Sequence, residues 1–380
     1  MSVRKRKWTT RLGEARESWI VDYTDQHGSR HIETFEKKKD ADAYHAKVVV
    51  DVDSGVHTAP STSITVAQAA ADWIRHAETE KRERSTILAY QQHVDKHITP
   101  RIGPLKIASL TTPRIQKFRD DLLADMSRPM AKKVLTSLKS LLKEARRRGN
   151  VAQNVADGVS ITFDKRHKRQ LKVGIDIPAR AEIKAIVDKL EGRWRPFFLV
   201  AIFSGLRSSE LRGLRWEDVD LRKSELHVRQ RADRWGVIGK PKSHAGERTV
   251  PIPPLALNAL REWKLQCPKG DGDLVFPNGN GHPENHSNII NRAFMPLQVA
   301  AGVVTKDGKP KYPGLHSLRH FYASLCINRR ADGGLELPLK MVQARLGHAS
   351  IQMTADVYGH LFARADDGKE LADVERMLLG

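Results

Sequence analysis

Residues 204–210 read SGLRSSE and directly follow an apolar run at 197–203. The apolar run predicts a buried helix, and Gly205 predicts the turn that ends it. Arg207 then lies just past this turn at the start of a second helix, where backbone N–H groups favour anions. Glu210 follows one helical turn later and can hold the Arg207 guanidinium in place. The stretch therefore predicts a corner between two helices that binds an anion.

Three further motifs follow in the same half of the chain: HSLRH at 316–320, LGH at 346–348 and TADVYGH at 354–360. A phosphodiester gains negative charge on its non-bridging oxygens in the transition state. Arginine suits this charge because its guanidinium is planar, permanently charged and able to bind two oxygens. Arg207 and Arg319 are the candidates, and Arg319 shares a helix face with His316 three residues earlier. His348 is a candidate hydrogen-bond donor to the scissile phosphate.

Tyr358 is the candidate nucleophile. A free phenol has a pKa of about 10, so at neutral pH it needs a base or a strongly cationic pocket. The two arginines and His316 are the groups expected to supply these. The leaving sugar hydroxyl needs an acid, for which Lys242 is the candidate and Lys240 the alternative. Both lysines lie in a Gly/Lys-rich segment that we expect to form the tip of a β-hairpin.

Patterns in the first half of the chain predict two smaller domains. Strand-like runs around a turn at 25–28, followed by apolar residues at helical spacing, predict an α/β module of a three-stranded sheet and one helix over residues 1–58. Residues 64–158 predict an all-α domain, whose first helix opens with a capping box at Thr65 and Gln68. A basic linker at 159–175 then precedes the largest domain, at 176–380. The predicted fold class is mixed and mainly α.

The net charge of +20 arises from 65 lysines and arginines against 45 acidic residues. Such a charge favours a polyanion as partner, because each neutralised phosphate releases counterions. Basic residues interrupt the apolar stripe of the fourth predicted helix and are opposed there by Glu144 alone; a solvated helix face is the alternative interpretation. The DNA-binding candidates are Lys132, Lys133, Lys139, Lys143, Arg146 and Arg147 in this helix and Lys165, Arg166, Lys168 and Arg169 in the linker.

The motifs, in this order and spacing, strongly resemble the tyrosine recombinase (phage integrase) family, and the resemblance extends over nearly the whole chain. It implies an N-terminal arm-binding module, a helical core-binding (SAM-like) domain and an α+β catalytic domain. It also implies a 3′-phosphotyrosyl link to DNA, a released 5′-hydroxyl and strand exchange through a Holliday junction. The catalytic residues that it implies are Arg207, Lys242, His316, Arg319, His348 and Tyr358, with Glu210 and His320 supporting them.

The resemblance further implies the partners. They are double-stranded DNA with core and arm att-type sites and three further copies of the chain in a tetramer on DNA. An excision factor and a host DNA-bending protein are additional candidates, and no cofactor or metal is expected. The sequence contains no apolar run of about 18 residues or more, so we expect no membrane span. Cys267 and Cys326 lie far apart in the sequence. They favour a reducing compartment, which we expect to be the cytoplasm and nucleoid of a bacterial host.

Other interpretations start from the same residues. The acidic cluster at 217–220 could serve a metal-dependent nuclease, although capping of the neighbouring elements is the alternative. His316, His320 and His348 could form a zinc site, but zinc hydrolase motifs have Glu after the first His, where this chain has Ser317. A type IB topoisomerase uses the same chemistry as a tyrosine recombinase. A DNA-binding regulator without catalytic activity is the remaining alternative.

Overall fold

The computed structural model describes residues 1–10, 13–26, 28–55, 57, 59, 63–162, 170–270, 272–362 and 367–379. The chain divides into two compact units, Met1–His167 and Lys168–Gly380. Within the described ranges, no helix has the length and apolar composition needed to cross a bilayer. The predicted linker residues Lys165, Arg166, Lys168 and Arg169 lie outside the described residues.

The first unit begins with an antiparallel sheet in the order β1-β2-β3. Its strands are β1 (Ser2–Thr9), β2 (Ala15–Thr24) and β3 (Arg30–Phe35), and helix α1 (Lys38–Asp53) follows. Val21 and Tyr23 on β2 pack against Ala41 and Val48 of α1 in a small core of their own. Since residues two apart point to the same face of a strand, this side of β2 is apolar and faces the helix. The predicted three-stranded sheet and helix are confirmed.

The rest of the first unit is helical. Its helices are α2 (Val66–Thr79), α3 (Arg84–His93), α4 (Thr99–Ile102), α5 (Thr112–Asp125) and α6 (Arg128–Arg147). Thr65 Oγ1 accepts the Gln68 N–H at 3.1 Å, and Gln68 Oε1 accepts the Thr65 N–H at 2.8 Å, so the predicted capping box is confirmed. The apolar stripe of α6 is buried against α2, α3 and α5. Its basic residues are thereby left at the edges of the stripe.

The second unit contains ten helices and five strands within its described residues. The helices are α7 (Arg180–Asp188), α8 (Trp194–Ser204), α9 (Ser208–Gly213), α10 (Pro254–Lys264), α11 (His286–Asn288), α12 (Met295–Ala300), α13 (His316–Ile327), α14 (Leu339–Leu346), α15 (Ile351–Tyr358) and α16 (Asp367–Leu379). The strands are β4 (Val219–Asp220), β5 (Glu225–Val228), β6 (Arg231–Ala232), β7 (Ile238–Gly239) and β8 (Arg248–Pro251). Helices pack around α8, whose residues 197–202 are almost fully buried. The α+β character predicted for this half of the chain is confirmed.

The lysine-bearing segment differs from its prediction. β5 pairs with β8, as the alternating patterns predict, but a second hairpin of β6 and β7 is inserted between them. The tip of that hairpin is residues 233–237, where Asp233 Oδ1 accepts the N–H groups of Trp235 and Val237 at 2.8 and 2.9 Å. Lys240 and Lys242 follow β7 and lie in the connection to β8. Their predicted position at a hairpin tip is therefore wrong, because the Asp233 side chain closes the turn earlier in the chain.

Two helices end at glycines in the left-handed conformation, and both ends contribute to the site described below. Gly205 follows α8 with φ of +63°, and Gly347 follows α14 with the same φ. A Cβ at Gly205 would lie 2.3 Å from the ring of Tyr322, so both the backbone angle and the space require glycine there. The predicted turn at Gly205 is confirmed.

Candidate active site

Five segments of the second unit bring the predicted residues together. They are the α8–α9 junction with Arg207, the start of β8 with Arg248, the first turns of α13, the end of α14 with His348, and the end of α15 with Tyr358. Sequence separations between the segments reach well over a hundred residues. Hydrogen bonds from side chains to carbonyl groups that lack helical partners at helix ends hold the segments in contact.

Arg207 is anchored by Glu210, as its spacing predicts. Arg207 Nη1 donates to Glu210 Oε1 at 2.7 Å, and the Arg207 backbone N–H donates to Glu210 Oε2 at 2.8 Å. Arg207 Nη2 also donates to the carbonyl of Gly347 at 3.1 Å. The Arg207 side chain remains 35% exposed, whereas Glu210 is 2% exposed. The guanidinium is thus held in one orientation while part of it faces solvent, which suits contact with an external anion.

Arg319 is almost fully buried and joins two helix ends. Its Nη1 donates to the Gly205 carbonyl at 2.5 Å and its Nη2 donates to the Leu346 carbonyl at 2.6 Å. The C-terminal ends of α8 and α14 leave carbonyl groups without helical partners, and these groups attract a cation. Burial and the charge of Arg207 lower the pKa of Arg319 to about 9. The guanidinium therefore stays charged at neutral pH, and it is fixed before any ligand arrives.

His348 is buried and neutral. Its Nδ1 forms a hydrogen bond of 2.9 Å with Thr354 Oγ1 on α15. Burial, together with the charges of Arg319 and Arg207, lowers the pKa of His348 to about 4. Its ring is parallel to that of Tyr358, with centroids 6.2 Å apart. The hydrogen bond to Thr354 sets the ring orientation. When the Thr354 hydroxyl is the donor in this bond, the hydrogen of the neutral ring is on Nε2, which can then donate to a bound ligand.

Tyr358 is 1% exposed, and its hydroxyl forms a hydrogen bond of 2.7 Å with His320 Nδ1. Burial raises the pKa of Tyr358 to about 12, although the charges of Arg319 and Arg207 act in the opposite direction. His316 was the predicted base, but the ring next to the phenol is that of His320, whose centroid lies 5.6 Å from the Tyr358 ring. The interpretation of His320 as a supporting residue thus underestimated its contact with the nucleophile.

His316 lies one helical turn before His320 on the same face of α13. The two rings are edge-to-face with centroids 4.5 Å apart. His316 as a whole residue is exposed. Partial burial of its imidazole lowers the pKa of His316, and the charges of Arg319 and Arg207 lower it further. A neutral imidazole at the solvent edge of the site can donate a hydrogen bond to an entering phosphate.

Arg248 belongs to the site, although the sequence prediction did not include it among the site residues. Its Nη2 donates to Glu210 Oε2 at 2.8 Å, its Nε to the Arg345 carbonyl at 2.7 Å and its Nη1 to the Gly246 carbonyl at 2.9 Å. Arg248 thereby joins β8 to the end of α14. It also anchors the segment that precedes it, which contains the exposed Lys242. The one signal in the sequence was an arginine at the start of the strand that follows the two lysines.

The electrostatic balance of the site is positive. Glu210 faces both Arg207 and Arg248, and the two charges together with their hydrogen bonds lower its pKa against the effect of burial. Arg319 adds a third guanidinium beside them. Three cations and one carboxylate leave an excess of positive charge in a region that is largely closed to water. Such an excess stabilises negative charge that develops on a bound phosphate.

The alternative metal sites do not assemble in the described ranges. No group of three or more histidine, cysteine or carboxylate side chains there is arranged to hold a metal ion. In the acidic cluster, Asp218 forms an ion pair with Arg229 at 3.1 Å. Asp220 Oδ1 accepts the N–H groups of Arg222 and Lys223 at 2.9 and 2.8 Å. These carboxylates therefore act in local structure, as the capping interpretation predicts.

The basic face of α6 lies in the first unit. Lys132, Lys133, Lys143 and Arg146 are exposed there. Lys139 is half-buried, and its Nζ donates to the Asp157 carbonyl at 3.1 Å. Arg147 is exposed but forms an ion pair with the buried Glu144 at 3.3 Å. The structure thus leaves this face basic and accessible, with Lys139 and Arg147 also engaged within the protein.

Comparison with known proteins gives two family matches. The phage integrase family matches residues 179–364, and the phage integrase N-terminal SAM-like domain matches residues 65–123. The chain belongs to the tyrosine recombinase (phage integrase) family. Every element that contributes an arginine, a histidine or the tyrosine to the candidate active site lies within the first of these two ranges.

Individual relatives extend the match. A tyrosine recombinase XerC-like protein of Caldanaerobacter subterraneus subsp. tengcongensis is 26% identical over 354 residues, which cover 86% of this chain and 87% of that protein. The Tn1549 transposon integrase in complex with a circular intermediate DNA has a TM-score of 0.65 at 21% identity, covering 83% of this chain and 100% of the other. The lambda integrase tetramer bound to a Holliday junction has a TM-score of 0.53 at 17% identity, covering 90% and 95%. The tyrosine recombinase fold predicted from the motifs is confirmed.

Proposed function

We propose that this tyrosine recombinase is a site-specific integrase that cleaves and rejoins double-stranded DNA to integrate or excise a phage or mobile element. The observation behind the proposal is the placement of one buried phenol, Tyr358, beside Arg207 and Arg319 in a pocket with excess positive charge. A DNA phosphate that contacts the exposed part of Arg207 would lie within the same cluster as the tyrosine hydroxyl.

The roles proposed for the side chains rest on their positions and on the resemblance to the tyrosine recombinase family. Tyr358 Oη attacks the phosphorus, the bond to the 5′-oxygen breaks, and the DNA 3′ end becomes joined to the tyrosine. Arg207 and Arg319 offset the charge on the non-bridging oxygens, and His316 and His348 donate hydrogen bonds to them. Lys242 protonates the leaving 5′-oxygen, with Lys240 as the alternative acid. A 5′-hydroxyl from the partner duplex then attacks the phosphotyrosine, so the bond energy is conserved.

The partners in this proposal are duplex att-type core sites for the catalytic and helical domains and arm sites for the module at 1–58. Three observations support them: the net charge of +20, the exposed basic face of α6, and the presence of DNA in the two related structures described above. A tetramer is the working form that we propose, as in the lambda integrase complex. Excision factors and host DNA-bending proteins are further partners, and the bacterial cytoplasm and nucleoid are the proposed location.

Helix α16 is consistent with contacts between subunits. Leu371, Val374 and Leu378 lie at helical spacing and are 68%, 50% and 77% exposed. The apolar face of this helix is therefore not covered by its own unit. We propose that it docks on a neighbouring copy in the tetramer, which removes the apolar surface from water.

Covalent trapping tests the function. The probe is a duplex containing the direct repeat that flanks the element encoding this chain, nicked near the expected cleavage position so that the short fragment diffuses away. Wild-type protein is expected to form a denaturation-resistant protein–DNA adduct, and Tyr358→Phe is expected to form none. An adduct with the variant, or none with wild type on this repeat, would contradict the proposal. Relaxation of a plasmid without joining of two sites would instead indicate a topoisomerase.

A further inference from the structure

The hydroxyl of Tyr358 has a defined hydrogen-bond partner before any DNA is bound. His320 Nδ1 lies 2.7 Å from Tyr358 Oη, a distance within the range that proton transfer requires. His320 is half-buried on α13, one turn beyond the exposed His316. The first of these histidines therefore faces an entering phosphate, and the second faces the nucleophile.

We propose that His320 receives the phenolic proton of Tyr358 during strand cleavage and returns it during rejoining. The inference rests on the proposed function and names a catalytic residue for it. In the cleavage step Tyr358 Oη forms a bond to phosphorus, its proton moves to His320 Nδ1, and the bond from phosphorus to the 5′-oxygen breaks. The 5′-oxygen takes its proton from the general acid. Rejoining reverses each transfer, so protons and electron pairs balance over the cycle.

Burial of the phenol is the first argument. Tyr358 is 1% exposed, so bulk water and hydroxide do not reach its hydroxyl directly. The proton must then pass to a protein group within hydrogen-bond reach. His320 satisfies this condition as an acceptor when its Nε2 carries the hydrogen, whereas the arginines of the site have no acceptor atoms. His348 Nδ1 is engaged with Thr354, and its ring lies parallel to the phenol rather than at the hydroxyl.

The charge around His320 is the second argument. It explains why the phenolic proton is not transferred before DNA binds. Burial, followed by the charges of His316 and Arg319, lowers the pKa of His320 to about 4, while Asp176 acts in the opposite direction. Burial raises the pKa of Tyr358 to about 12, so the proton stays on the phenol in the free protein. A phosphate anion at the arginines offsets the positive charge that disfavours a protonated His320. As Oη bonds to phosphorus, its proton also becomes far more acidic.

The experiment separates the nucleophile from the leaving group. Two nicked duplexes containing the flanking repeat are prepared, one with the natural 5′-bridging oxygen at the scissile phosphate and one with sulfur. A thiolate leaves without protonation, so sulfur rescues a variant that lacks the acid but not a variant that lacks the base. Single-turnover cleavage is measured for wild type, His320→Asn, His320→Ala, His316→Asn and Lys242→Ala. Asparagine keeps a polar atom near the position of Nδ1 but cannot take up a proton.

The expected result is a loss of about 10²- to 10⁴-fold for both His320 variants on both duplexes, the range typical of a missing general base. Lys242→Ala should recover on the sulfur duplex. Removal of the imidazole in His320→Ala leaves space beside the Tyr358 hydroxyl that hydroxide can enter. On the sulfur duplex the His320→Ala rate should therefore rise about tenfold per pH unit between about pH 7 and 9, while the wild-type rate rises less steeply. Gel-shift affinity and thermal melting of the same proteins establish that the His320 variants are folded and bind the probe.

Three results would overturn the inference while leaving the function intact. The first is wild-type-like cleavage by His320→Asn, which would mean that His320 positions the phenol without taking its proton. The second is rescue of the His320 variants by sulfur. The third is appearance of the steep pH dependence in His316→Asn instead of in His320→Ala. Absence of any adduct with wild type would count against the proposed function itself, so the two failures are distinguishable.

Discussion

Replacement of Glu210 by glutamine tests the arginine network most directly. The Glu210 carboxylate accepts three hydrogen bonds from Arg207 and Arg248, at 2.7, 2.8 and 2.8 Å, and is 2% exposed. Glutamine has one acceptor oxygen and no charge. The variant therefore loses at least one of these bonds and leaves two guanidinium groups, with Arg319 nearby, facing no carboxylate.

The expected cost is set by the burial of the three partners. Removal of one member of a buried ion pair costs about 3–5 kcal/mol, because the other charge stays buried without compensation. Arg248 is 6% exposed and falls in this class, but Arg207 is 35% exposed and can recover part of the loss by hydration. We therefore expect Glu210→Gln to lower the free energy of unfolding of the second unit by about 3 kcal/mol. Glu217→Gln is the matched control, since Glu217 is 64% exposed and should change stability by less than about 0.5 kcal/mol.

The assay is amide hydrogen exchange of the full chain across a urea series, with peptides from α13 and α14 reporting the opening of the second unit. The pH dependence adds a second criterion. Because the folded pKa of Glu210 lies below its ordinary value of 4.5, its stabilisation is present above that pH and is lost as the pH falls through the lowered value. The difference between wild type and variant should thus shrink on acidification. A loss below about 1 kcal/mol at pH 7, or a difference independent of pH, would refute the reasoning.

Three other outcomes can be measured. Gly205→Ala should lower the free energy of unfolding by about 2–4 kcal/mol, measured as a fall in Tm. The reason is that the added Cβ would lie 2.3 Å from the Tyr322 ring, on a residue whose φ is +63°. Gly239→Ala is the control, because a Cβ there would meet nothing within 4 Å. The pKa of His348 falls from 6.5 to about 4 on folding, so the wild-type protein loses up to about 3 kcal/mol of stability as the pH falls through that window. His348→Asn should therefore lose less stability than wild type over the same pH range. An equally steep curve for that variant would contradict the pKa shift. Lys143→Ala should reduce the salt dependence of DNA binding by about one phosphate contact; an unchanged slope would mean that Lys143 makes no such contact.

Much of the site was predictable because its parts are local. Arg207 and Glu210 are three residues apart, and their contact follows from helical spacing. The glycine turn that ends α8 is equally local, since Gly205 is a left-handed residue directly after an apolar helix. The capping box at Thr65 depends on atoms three residues away.

The remaining contacts required the folded chain. The phenol of Tyr358 bonds to His320, 38 residues earlier, and Glu210 bonds to Arg248, 38 residues later. His316 and His320 both lie on one face of α13, so spacing alone does not distinguish the histidine that faces the tyrosine from the one that faces solvent. The lysine-bearing segment was misplaced for a related reason: residues 229–247 contain no long periodic pattern, and the Asp233 turn forms a short hairpin of its own there.

The sequence by itself determined the residue types of the site and the helices and turns that present them, because each depends on spacing within a few residues. It also indicated the family, through the order of the motifs along the chain. Only the tertiary structure decided which histidine contacts Tyr358, that Arg248 shares Glu210 with Arg207, and that Arg319 joins the ends of α8 and α14. These contacts join segments far apart in the chain. They are selected by the packing of α8, α13 and α14 in one core, where the unpaired carbonyls of two helix ends and a buried carboxylate require cations from elsewhere in the chain.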